Sequence, residues 1–62
     1  MRVMFRDKEW ILEGKKTVRQ VVEEVGLVPD SVLVVRDGEL LTEDMIVQAE
    51  DEIRLIAVIS GG

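Results

Sequence analysis

The side chains that most often carry catalysis are missing from this sequence. It has no Cys and no His, which excludes disulfides, thiol nucleophiles, Cys/His zinc sites and an imidazole general base. Carboxylates, amines and hydroxyls are what remain. The carboxylates gather as Glu43-Asp44 and Glu50-Asp51-Glu52. Without the alternating ligands and central Gly of a calcium loop, they are expected to form solvated turns and to hold no metal. The Ser60 hydroxyl has no base near it in sequence and is given no catalytic role. What stands out is the closing Ser60-Gly61-Gly62. A tail without Cβ atoms can enter a narrow channel and take φ/ψ values closed to other residues. At a usage of about 7% glycine, two specified positions are both Gly in roughly 0.5% of chains. Such a tail has its carboxylate to offer, so no catalytic residue is assigned, and the chain is not expected to be a self-contained enzyme.

The elements that must hold this tail come from a short chain. Its 62 residues make one domain, expected over residues 1–59 and followed by a flexible tail of residues 60–62; 47% apolar residues with a single Pro are too many for disorder. A domain of this size buries only about 60% of the surface that its unfolded chain exposes, so packing has to be efficient. The longest apolar run, Leu55-Ile56-Ala57-Val58-Ile59, is far below the ~20 residues of a membrane span. The charged Met1-to-Asp7 segment cannot supply the core of a signal peptide, and the chain reads as cytoplasmic. A net charge of −5 opposes direct binding to nucleic acid and favours a partner with a basic surface. The 34% of charged residues and the absence of Asn fit a thermophile's composition.

Alternation with period two predicts a first strand over Met1 to Arg6, with Val3 and Phe5 on one face and Met4 on the other. After a polar break at Asp7-Lys8, a second short run, Glu9 to Glu13, closes a hairpin and ends at Gly14. From Thr17 the period becomes 3.6. Val18, Val21, Val22 and Val25 form one stripe of a helix, and Thr17 with Gln20 makes a capping box. Four valines imply that packing against a sheet holds this helix more than propensity does. Gly26 ends it, and Pro29 blocks its resumption. The run Val32 to Val35, the Asp37-Gly38 turn and Leu40-Leu41 predict a second hairpin. Thr42 to Asp51 reads as a loop with a short helical turn or bridge. Glu52 to Ile59 is the last strand, with Ile53, Leu55 and Ala57 opposite Arg54, Ile56 and Val58. One helix on one face of a mixed four- to five-stranded sheet is an α+β two-layer domain.

The stretch Asp51 to Gly62 resembles the closing strand and tail of the ThiS/MoaD family of ubiquitin-like sulfur carriers. The N-terminal hairpin, the helix opening at Thr17-Val18, the hairpin around Asp37-Gly38 and the acidic turn before the last strand extend the resemblance over the whole chain. Many relatives have Gly-Asp in that turn where this chain has Glu50-Asp51, so the turn is expected to be built differently. The resemblance implies a ubiquitin-like β-grasp whose terminal glycine, here Gly62 with Gly61 before it, is adenylated by an ATP-dependent activating enzyme. Conversion to a thiocarboxylate then lets the carrier donate sulfur to a sulfur-accepting synthase or thiolase. The acceptors are thiamin thiazole or molybdopterin in cofactor biosynthesis, or tRNA bases in thiolation. No cofactor is expected to be bound, since the partner enzyme uses the ATP.

If the helix covers Val3, Phe5, Trp10, Leu12, Val32, Val34, Leu41, Ile53 and Leu55, alternation turns Met4, Ile11, Leu33, Val35, Ile56 and Val58 to the open face. Sheets covered on one side usually alternate to polar residues on the other, so these six are expected to dock a partner, and ubiquitin-like proteins use this face on activating enzymes. Arg54 falls on the same face. Two further functions stay open: a protein modifier conjugated through Gly62 to lysines, and a β-grasp interaction module that is not activated at all.

Overall fold

A computed structural model describes residues 1–58. Strand β1 (Arg2–Phe5) turns back through Arg6-Asp7 into β2 (Lys8–Ile11), pairing Phe5 with Lys8 and Arg2 with Ile11. The turn therefore sits one residue earlier than the polar Asp7-Lys8 suggested, and Arg6 takes a left-handed backbone (φ 57°) to make it. A two-residue strand β3 (Lys16–Thr17) leads directly into α1 (Val18–Glu24).

The ends of α1 are closed as their sequence dictates. The Gln20 N–H donates to Thr17 Oγ1 (3.2 Å) while Gln20 Oε1 accepts from the Thr17 N–H (2.9 Å). The preceding two helix N–H groups, which have no partner within the helix, donate to carbonyls of a distant loop: Val18 to Met45 (2.9 Å) and Arg19 to Glu43 (3.1 Å). At the other end Gly26 (φ 86°) donates to Glu23 and Leu27 to Val22, the paired bonds of a Schellman motif. Pro29 does more than keep the α-helix from resuming. It opens a 3-10 turn, Pro29–Ser31, because its missing N–H costs nothing at the first position of a helical turn.

Strands β4 (Val32–Arg36) and β5 (Glu39–Leu41) form a hairpin around Asp37 (φ 53°) and Gly38 (φ 80°), with Arg36 opposite Glu39. Positive φ at both turn residues matches the right-handed twist of the flanking strands. The segment read as a loop contains a strand. β6 (Ile46–Val47) pairs antiparallel with β3 in a separate two-stranded sheet, and Val47 is fully buried. Strand β7 (Glu52–Ala57) ends before Val58, which the expected strand included.

The main sheet has five strands in the order β2-β1-β7-β4-β5, mixed because β1 and β7 run parallel while the other pairs are antiparallel. Val18, Val21 and Val22 of α1 pack on Val3, Val32, Val34, Ile53 and Leu55. Phe5, Trp10, Leu12 and Leu41 close the margins of the core. With one helix covering one face of a mixed sheet and first and last strands parallel side by side, the domain is a ubiquitin-like β-grasp.

Candidate functional site

The face of the sheet opposite α1 carries the six residues that alternation turned outward, but their distribution is uneven. One row runs across all five strands as Glu9, Met4, Arg54, Val35 and Leu40. Met4 and Val35 flank Arg54 and are half-buried. Leu33 and Ile56 are direct partners between β4 and β7, 44% and 45% exposed, and Val58 follows at 41%. These three make the apolar patch proper. Ile11, 71% exposed, stands apart from it. Its cross-strand neighbour is Arg2, which pairs with Glu52 on the next strand and is ion-paired to both Glu9 and Glu52. A charged row thus separates Ile11 from the other five, so the six residues do not form one continuous surface.

Leu40 was not assigned to this face from the sequence, yet it is 64% exposed there. The signal was present. A two-residue Asp37-Gly38 turn requires Arg36 opposite Glu39, and hence Val35 opposite Leu40 on the same side of the sheet.

Charge is uneven in the same way. Glu23, Glu24, Glu43 and Asp44 lie on and beside α1, whereas Arg2, Arg6 and Arg54 gather around Met4, where Asp7, Glu9 and Glu52 offset them. The excess of negative charge is therefore not concentrated around Met4, where basic and acidic side chains balance and the local field, not the total, bears on association.

Two contacts set the path of β7. At its start the Asp51 carboxylate accepts from the Gln48 N–H (2.9 Å) and from the Arg36 guanidinium (2.9 Å), and the Asp51 N–H closes the turn on the Gln48 carbonyl (3.1 Å). The Gln48 N–H and then Arg36 hold this carboxyl below the usual carboxylate range, against partial burial that pulls the other way. The Glu50-Asp51 turn is thus closed by a side-chain cap. At the other end the Val58 N–H donates to the Ser31 carbonyl (2.9 Å), with Ser31 itself held by its N–H and hydroxyl on the Val28 carbonyl (2.9 and 2.8 Å).

Ser60, Gly61 and Gly62, read from the sequence as the activated end and its approach, lie outside the described residues, as does Ile59. Among the described residues no three acidic side chains converge as metal ligands would, and no helix is long and apolar enough to cross a membrane.

Comparison with known proteins decides the family: the family model described as "ThiS family" matches residues 2–62. The chain belongs to the ThiS family. It is also 43% identical over 65 aligned residues to "Sulfur carrier protein TtuB" of Thermus thermophilus, with all of this chain and all of that protein covered. Both findings span the β-grasp and the closing Ser60-Gly61-Gly62, so the fold and the tail belong to one ThiS-family unit.

Proposed function

We propose that this ThiS-family chain is a cytoplasmic sulfur carrier whose reactive group is the Gly62 carboxylate, acted on by an ATP-dependent adenylating enzyme. The observation that carries the reading is the likeness over its whole length to a protein named as a sulfur carrier. Composition supports it, because a chain without Cys or His has no thiol or imidazole to contribute and needs its catalyst from elsewhere.

A carboxylate is a poor acyl donor. In the proposed sequence a Gly62 oxygen attacks the α-phosphorus of ATP and pyrophosphate leaves, giving an acyl-adenylate. Sulfide attacks the acyl carbon and expels AMP, or a persulfide does so and a thiol then reduces the resulting acyl disulfide to the thiocarboxylate. The resulting thiocarboxylate delivers its sulfur to a synthase or thiolase, making thiamin thiazole, molybdopterin or a thiolated tRNA base. The carrier's part is positional. Its rigid sheet presents the end of β7 while Leu33, Ile56 and Val58 dock on the partner, and Gly61 and Gly62 let a narrow adenylating site close around the terminus and exclude water.

The test is the intact mass of the protein purified from its source without a C-terminal tag. A population heavier by the difference between sulfur and oxygen is expected. Branched Gly-Gly-lysine peptides in place of that species would assign the chain to protein modification. Full activity after deletion of Gly61-Gly62 would reject both.

A further inference from the structure

Five ion pairs join side chains among the described residues, and they use Arg2, Lys16, Arg19 and Arg36. Arg54 and Arg6 have no carboxylate partner among those residues, although the chain carries 13 acidic side chains against 8 basic ones. With acids in such excess, two unpaired arginines that line one depression call for an explanation.

Their placement supplies one. Arg54 stands in the middle strand of the open face between Met4 and Val35, and it lines two shallow depressions, one on each side of β7. The first of these is shared with Arg6 and Lys8. Its acids are Glu9, already engaged by Arg2, and Asp7; those of the second are Glu52, also engaged by Arg2, and Asp37. The Arg6 guanidinium is held over the Phe5 ring, 5.2 Å from its centroid, which orients it without neutralising it. Because β1 and β7 are parallel with Phe5 opposite Leu55, Arg6 stands level with Ile56, at the end of the sheet from which the chain continues past Val58. A protein that takes hold of the residues after Val58 must come down on this corner.

We propose that Arg54, together with Arg6 at the adjoining β1–β2 turn, receives carboxylates of the activating enzyme beside the entrance to its tail site, while Leu33, Ile56 and Val58 supply the apolar contact. This rests on the sulfur-carrier reading and reverses, for this face, the basic partner that the net charge suggested. A cation framed by Met4 and Val35 is partly desolvated on docking, where pairing with a carboxylate is worth more than at an open surface. The overall negative charge disfavours a nucleic-acid phosphate backbone as the occupant.

The experiment measures ATP–pyrophosphate exchange by the purified adenylating enzyme of the host as the carrier is titrated. Arg54→Glu is expected to raise KM by about tenfold or more, Arg54→Gln by less, and Arg6→Glu to add to either. The wild-type KM should also rise with salt more steeply than that of Arg54→Gln. Arg19→Glu, on the far side of the molecule, makes the same change in net charge and should leave KM unchanged. Ile56→Asp reports on the apolar contact separately. If Ile56→Asp raises KM while the Arg54 and Arg6 variants do not, the charge proposal falls and docking through this face stands. A lower KM for Arg54→Glu, or an unchanged KM with loss of binding to transfer RNA, also overturns it. Absence of exchange with the wild-type chain would instead remove the activation reading on which it rests.

Discussion

The Val58 N–H and the Ser31 carbonyl, 2.9 Å apart, carry the β4–β7 ladder one step beyond the last residue of β7. Ser31 ends the 3-10 turn that Pro29 opens, so the direction in which the chain leaves the sheet is set by a turn more than twenty residues earlier in sequence. Val58→Pro removes the donor while keeping an apolar side chain at the position. A net loss of about 1 kcal/mol is expected, read as a melting temperature lower by roughly 4–8 °C for a domain of this size. Calorimetry would check it. An unchanged melting temperature would mean that this bond does not anchor the strand's end.

The β3–β6 pairing makes a second claim. Val47 is fully buried, while its neighbour Ile46 is 42% exposed, so the two-residue strand inserts one side chain into the core. Val47→Ala is expected to cost about 2 kcal/mol, from two lost methyl groups and the cavity they leave. Ile46→Ala should change stability by less than about 0.5 kcal/mol. Urea unfolding midpoints measure both, and equal losses would contradict the assignment of Val47 to the core.

Acid sensitivity should trace in part to Asp51. Its carboxyl is held below the usual range by the Gln48 N–H and by Arg36. A carboxyl with a lower pKa folded than unfolded contributes stability above its unfolded value of about 3.9, and that contribution is lost as the pH falls through the folded value. Asp51→Asn is therefore expected to be less stable than the wild type at pH 7 and to show a shallower decline below about pH 4. Urea unfolding over a pH series would reveal a parallel decline if Asp51 contributed nothing.

Much of the fold was legible in local pattern. Period-two alternation divided Val3, Phe5, Ile53 and Leu55 from Met4, Ile56 and Val58 as the sheet does, and the valine stripe with Thr17, Gln20 and Gly26 marked the helix and its ends. These features depend on neighbours within one or two turns of chain. Ile46-Val47 escaped because a two-residue strand has no period, and its partner Lys16-Thr17 is some thirty residues away. The isolation of Ile11 escaped for a related reason. Alternation tells which face a residue occupies but not which residue stands beside it, and the intervening Arg2 pairs with a carboxylate fifty residues distant.

By itself the sequence determined which side of each element is apolar, where the helix begins and ends, and that no thiol or imidazole chemistry resides in the chain. Side-chain character and backbone preference act over short separations, so a linear reading captures them. Only the tertiary structure decided that β1 and β7 lie parallel, that Arg6, Arg54 and the end of β7 meet at one corner, and that the open face differs in charge from the molecule's total. These are sums over contacts between distant segments, selected by how the whole core packs.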